Sequence, residues 1–130
     1  MTKDEIKALE SVFKVYPEIK LVYFFGSKAE GREGPLSDYD FGVYLDEKDA
    51  KRNFDVKLAL MDEIGRLFKT DHVDVVMLNM ASMPELKYNI ISTGNLIYEK
   101  ERYSAVVEPD ILNEYFDFRH MLLKYGLTKA

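Results

Sequence analysis

Three aspartates carry the chemistry that this sequence offers. Asp38 and Asp40 lie two residues apart in Ser-Asp-Tyr-Asp, and Asp74 interrupts the apolar run His-Val-Asp-Val-Val. Strand side chains alternate between faces, so residues two apart point the same way, roughly 7 Å apart along the chain. Asp38 and Asp40 therefore share a face with Gly42, while Phe41, Val43 and Leu45 turn toward the core. In the next strand Val73, Val75 and Met77 share one face and Asp74 takes the other. Two acids beside a turn are ordinary surface chemistry. An aspartate inside a β-branched run is harder to account for, because strand propensity disfavours it and burial without a partner is costly. If the two strands pair, three carboxylates converge on one face, and like charges so placed call for a cation or a proton. Hard oxygen ligands suit Mg²⁺, which keeps part of its shell for substrate phosphates. Asp38, Asp40 and Asp74 are thus the candidate metal ligands and the candidate catalytic acids.

A second feature precedes them. Gly26 and Ser27 follow an apolar strand directly. Glycine lets backbone approach a phosphate closely, and a helical turn after it would aim N–H groups at an anion. The Ser27 hydroxyl can donate to a phosphate oxygen. Gly26 and Ser27 are the candidate nucleotide-binding residues, although a Gly-Ser pair after a strand also serves as a plain turn or cap. The chain contains neither G-x-x-x-x-G-K-[ST] nor G-x-G-x-x-G, which argues against a P-loop or a dinucleotide fold.

The elements that must hold these residues are legible in the periodicity. Ile6, Leu9 and Phe13 repeat at helical spacing over residues 2–15, and Thr2 with Glu5 has the form of a capping box. Residues 19–25 form an apolar, β-branched and aromatic strand. Residues 26–38 form a loop punctuated by Gly31, Gly34 and Pro35, with one helical turn after Ser27. A strand over 39–45 leads to a helix over 46–69, marked by Phe54, Leu58, Met61, Ile64 and Phe68. Then come a strand over 72–78, a helix over 84–91 stopped at Gly94, a short strand over 96–98 and a last helix over 108–125 with Pro109 in its first turn. The order predicts an α/β (α+β) domain spanning residues 1–130, a small mixed sheet flanked by helices.

Composition narrows the partners. Eighteen basic against 23 acidic residues leave a net charge of -5, so direct nucleic-acid binding is not expected. A bridging cation would still admit a triphosphate. There are no cysteines, which removes disulfides and thiolate metal sites. The N-terminus leads into a charged helix with no leader-like apolar run, and no stretch approaches a membrane span. The expectation is a cytoplasmic protein with no membrane association.

The spacing of these pieces carries a resemblance. Gly26-Ser27, ten further residues, then Asp38-Tyr39-Asp40 is similar to the signature of the DNA polymerase beta-like nucleotidyltransferases, with Asp74 in the place of the third acid. GSKAEG followed by SDYDFGV resembles the minimal nucleotidyltransferase (MNT) branch, which includes MntA-type antitoxins paired with HEPN-domain (HepT) toxins. The resemblance runs from Ile19 to about Tyr98. It implies a polymerase-beta-like fold in which Gly26 and Ser27 hold ATP, and Asp38 and Asp40 bind two Mg²⁺ ions. Asp74 would assist one ion and activate the attacking hydroxyl. It further implies transfer of AMP to a tyrosine of a HEPN-type RNase toxin. Such relatives often carry Arg after the Gly-Ser and again two residues on, where this chain has Lys28 and Glu30. A small-molecule acceptor and a non-catalytic toxin-binding module are the rival readings.

Several residues read more simply as structure. His72 shares the parity of Asp74 but stands at a strand entrance, His120 lies on the terminal helix, and Tyr39 points away from the acids. Lys28 and Arg32 are loop cations within reach of a phosphate. In the last helix Ile111, Tyr115, Phe118, Leu122 and Tyr125 form one stripe, with Leu112, Phe116 and Leu123 on a flank beside it. More than one apolar stripe exceeds what a single core needs. That helix, 108–125, is the expected contact for a partner, whether a toxin or a second copy of the chain.

Overall fold

A computed structural model of the chain describes residues 1–32, 34 and 38–126. Pro35, read above as loop punctuation, lies outside the described residues. The order is α1 (Lys3–Phe13), β1 (Ile19–Phe25), β2 (Tyr39–Leu45), α2 (Ala50–Phe68), β3 (Val73–Met77), α3 (Pro84–Thr93), β4 (Asn95–Glu99) and α4 (Ser104–Lys124). The strands form one sheet in the order β3-β2-β1-β4. β1 pairs antiparallel with both β2 and β4, and β2 pairs parallel with β3. Parallel neighbours need a crossover, and α2 supplies it. This is the mixed α/β sheet that the order of elements predicts.

Each face of the sheet has its own core. Leu9 and Phe13 of α1 and Val56, Leu60 and Ile64 of α2 pack on Val22, Phe24, Phe41, Val43, Val73 and Val75. On the opposite face Ile90 of α3 and Val107 and Ile111 of α4 cover Leu21, Tyr23 and Phe25. β1 is buried almost throughout because it is central and covered on both faces, which explains its unbroken apolar run. The α1 capping box is present: Thr2 N donates to Glu5 Oε1 at 2.8 Å, and Glu5 N donates to Thr2 Oγ1 at 3.1 Å.

Most element limits shift by a residue or two from the sequence reading, and two helices start four residues away from it. α2 begins at Ala50 rather than at 46, because Asp49 caps it by accepting from Lys51 N. The Glu47 carboxylate accepts from the amides of Lys48 and Asp49 and holds the residues before it in a turn. Its buried stripe is Asn53, Val56, Leu60 and Ile64. Phe54 and Leu58, read as part of the apolar stripe, are exposed. α4 begins at Ser104, four residues before the expected start, and carries Pro109 in its interior. Glu99, at the end of β4, accepts from the Ser104 amide and hydroxyl. It supplies the cap from outside the helix, where no local sequence signal announces it. Past Ile111 the helix is poorly covered: Phe116, Met121, Leu123 and Tyr125 are exposed. Among the described residues no helix is long and apolar enough to cross a membrane.

Candidate active site

The parallel pairing of β2 with β3 sets Asp40 opposite Asp74. In-register residues of adjacent strands project to the same face, with backbones about 4.8 Å apart. The reading of Asp40 and Asp74 as convergent therefore holds. Asp74 is exposed between buried Val73 and buried Val75, as its parity requires. Asp38 stands immediately before β2 and is exposed. Asp40 lies deeper, and its pKa is raised from the ordinary 3.8 to about 6. Burial is the main cause, followed by the charge of Asp74 and then that of Asp38. Both other acids thus act electrostatically on Asp40, and the three share one field.

The face on which they stand is that of α3. Gly42 lies on the same side of β2, and a Cβ there would come within 2.7 Å of Ile90 Cγ2. α3 therefore packs hard against β2 one step beyond Asp40. Asp38 and Asp40 lie at the beginning of that strand, before this contact. Tyr39, with opposite parity, stacks on Phe68 at 4.7 Å on the other face.

The residues after β1 close the site from its third side. Asp40 pairs with Phe25, so the chain leaving β1 passes beside the carboxylate. Gly26 takes φ +85°, and a Cβ on it would lie 2.2 Å from Asp40 Oδ2. Backbone conformation and steric room both demand glycine here. The chain then makes a single turn of the kind expected after Ser27 and no longer helix: Glu30 N donates to Gly26 O, an i+4 to i bond of 3.1 Å, and Arg32 N donates to Ser27 O at 2.8 Å. Gly26→Ala is expected to cost about 1–3 kcal/mol through backbone strain and to displace Asp40 as well. Urea unfolding measures the first effect; an unchanged midpoint would show that the turn relaxes freely.

The loop cations take up other positions. Lys28 Nζ lies 4.6 Å from the centre of the Tyr39 ring, against the face opposite the acids. Arg32 pairs with Glu30 at 2.6 Å, so the glutamate at the relatives' second arginine position engages the next cation along. His72, set aside in the sequence, places Nδ1 3.5 Å from Asp38 Oδ1. Its shared parity with Asp74 was the available signal. Among the described residues no three acidic or histidine side chains are arranged to hold a metal ion as they stand. The acids share a face without forming a closed cage.

The sheet thus carries Asp40 and Asp74 in register at one end, with a glycine turn against Asp40. The family model described as "Polymerase beta, Nucleotidyltransferase" matches residues 7–103, and the chain belongs to that family. It is 30% identical over 92 residues to the protein adenylyltransferase MntA of Aphanizomenon flos-aquae (strain 2012/KM1/D3). The match covers 65% of this chain and 59% of that protein, so the chain spans less than two thirds of its curated relative. Its fold is similar to a toxin–antitoxin crystal structure with AMP-PNP, at TM-score 0.76 and 19% identity, covering 92% of this chain and 94% of the other. It is also similar to a structure of a tri-AMPylated Shewanella oneidensis HEPN toxin in complex with an MNT antitoxin, at TM-score 0.73 and 17% identity, covering 96% and 95%.

Proposed function

We propose that this chain is an MntA-type antitoxin, a protein adenylyltransferase that moves AMP from ATP to a tyrosine hydroxyl of a HEPN-family toxin. The observation that carries the reading is the register of Asp40 with Asp74 beside the Gly26 turn. The kinship with an adenylyltransferase named MntA and the fold shared with toxin–antitoxin complexes support the acceptor class.

The donor set fits Mg²⁺. Three carboxylates supply hard oxygens, and a divalent ion would offset both the burial of Asp40 and the charges of Asp74 and Asp38 acting on it. Asp38, Asp40 and Asp74 would hold two such ions. When bound, the metal supplies charge neutralisation for the triphosphate and acidifies the acceptor hydroxyl. The chain's own residues do the rest. The turn from Gly26 to Ser27 offers backbone and hydroxyl donors to the triphosphate. Asp40 fixes the site's floor. Asp74 receives or orients the acceptor proton. The acceptor oxygen then bonds to the α-phosphorus, the α–β anhydride breaks and pyrophosphate leaves.

ATP labelled on the α-phosphate tests this directly. Incubation with Mg²⁺ and a HEPN-type toxin is expected to add label to the toxin, and Asp38→Asn/Asp40→Asn is expected to abolish it. Transfer of γ-label alone would make the chain a kinase. A stable complex without any label would make it a binding module.

The same reading assigns a role to the far half of α4. Exposed Phe116 and Leu123 offer an apolar surface for the toxin or a second copy. Phe116→Ser/Leu123→Ser is expected to reduce the assembled mass by light scattering while circular dichroism stays unchanged. An unaltered assembly would remove this helix from the interface.

A further inference from the structure

The three acids are not held alike. Asp40 is partly buried, and Gly26 approaches it so closely that an added Cβ would lie 2.2 Å from Oδ2. Asp74 lies within β3, in register with Asp40. Asp38 precedes β2, and its side chain is half-exposed. A side chain in that position exchanges among rotamers unless a neighbour holds it, and ordering it on binding costs affinity.

His72 is that neighbour. It shares the parity of Asp74, so its ring stands on the face of the acids. Nδ1 lies 3.5 Å from Asp38 Oδ1. Among the described residues it is the one basic side chain paired with any of the three acids. Its other nitrogen, Nε2, lies 3.7 Å from Asp71 Oδ1, but that side chain is 98% exposed, and water competes for it. The Asp38 contact is the one with consequences. It is longer than a formed N–H···O bond, and a shift of about 0.5 Å closes it.

The ring is mounted on a fixed base. The His72 carbonyl accepts from the amide of Tyr39, the residue between Asp38 and Asp40, at 2.8 Å. The His72 amide donates to Thr70 Oγ1 at 3.0 Å. Thr70 N in turn donates to Gly65 O near the end of α2 at 2.9 Å, and a Cβ on Gly65 would lie 2.7 Å from Thr70 O. The connection from α2 to β3 therefore carries an imidazole to the one acid that the sheet leaves loose.

We propose that His72 is a positioning residue for Asp38: its Nδ1–H holds one carboxylate oxygen and leaves the other for the divalent ion. The neutral ring with its proton on Nδ1 is donor enough, so the contact does not depend on the ring's charge. The inference rests on the metal-dependent transfer reading and adds a residue outside the Gly-Ser and three-acid signature. Hydrogen-bonded partners of metal-binding carboxylates are worth about 10–100-fold in metal affinity or activity. Both side chains here are half-exposed, which places this one at the low end.

The test measures Mn²⁺ binding to the full chain by electron paramagnetic resonance. An ATP analogue with a methylene between the α and β phosphorus atoms is present, so no turnover occurs. His72→Ala is expected to raise the Mn²⁺ Kd about 10-fold with an unchanged circular dichroism spectrum. His72→Asn, whose amide nitrogen takes the place of Nδ1, should stay within about threefold of the parent. In an Asp38→Ala background, His72→Ala should change the Kd by less than about twofold, because no carboxylate is left to hold. With α-labelled ATP and a HEPN-family toxin, His72→Ala should need about 10-fold more Mg²⁺ for half-maximal transfer, while kcat at saturating Mg²⁺ stays close to the parent's. An unchanged Kd in His72→Ala overturns the positioning role and leaves the transfer reading standing. So does an equal loss with and without the Asp38 carboxylate, or an asparagine variant as weak as the alanine one. A parent that binds no Mn²⁺ overturns the metal reading as well.

Discussion

Replacing Asp74 with asparagine will lower AMP transfer by about 10²–10⁴-fold, the usual worth of a positioned proton acceptor, and will leave the fold and most nucleotide affinity intact. Asp74 sits exposed on an edge strand, so an isosteric amide disturbs no packing. Its neighbours Val73 and Val75 keep their places in the core. The turn that would hold the triphosphate lies two strands away and touches Asp40, not Asp74. Chemistry and binding should therefore separate: kcat falls while ATP affinity by calorimetry changes little. The variant also has a readout independent of turnover. Asp74 is the second cause, after burial, of the raised Asp40 pKa. Removing its charge should move the Asp40 titration back toward the ordinary aspartate range, as followed by carboxyl-carbon NMR. Near-wild-type turnover with an unmoved Asp40 titration would make Asp74 a surface residue and end the three-acid reading.

Much of this site was readable in the residues because a strand's period of two is rigid. Once 39–45 and 72–78 are strands, parity alone places Asp38, Asp40 and Asp74 on the side away from Phe41 and Val75. The sequence could not supply the pairing. Register between β2 and β3 depends on the α2 crossover, and only the assembled sheet sets Asp40 against Asp74. Nor could it show that Gly26 is dictated by the Asp40 side chain. That contact joins residues 14 apart in the chain.

The misreadings have a common physical origin. Helix limits and helix faces depend on partners that are distant in sequence. Pro109 favours a first turn and so suggests a helix start at about 108, but Glu99 of β4 caps Ser104 and the helix starts earlier. Phe54 and Leu58 sit at helical spacing with Met61 and so read as core. The sheet instead takes the neighbouring stripe of Val56, Leu60 and Ile64. Phe54 and Leu58 are left exposed as a result. Lys28, read in the sequence more simply as a loop cation than as a phosphate ligand, lies over the ring of Tyr39, whose parity is opposite to that of the acids.

Asp40→Asn will abolish transfer and at the same time make the metal-free protein more stable at neutral pH. The folded state raises the Asp40 pKa from 3.8 to about 6, so the fold binds that proton more tightly than the unfolded chain does. The stability so gained is fully present below about pH 4 and is lost as pH rises through 6. At pH 7 the wild-type protein carries a partly buried charge facing two others, and the asparagine variant does not. A rise from 3.8 to about 6 would correspond to about 3 kcal/mol for a fully buried group. Asp40 is only partly buried and its neighbours are exposed to water, so screening leaves about 1 kcal/mol. The variant should unfold at higher urea than the parent at pH 7, and the gap should close toward pH 4. ATP with Mg²⁺ should invert the order, because a ligand that binds only the folded parent stabilises it by mass action. Transfer should fall by at least about 10²–10³-fold, the scale on which losing a preorganised charge stabiliser acts. Equal urea midpoints at pH 7 would mean that Asp40 feels neither burial nor its neighbours. A failure of ATP and Mg²⁺ to stabilise the parent above the variant would mean that this carboxylate is not where the metal binds.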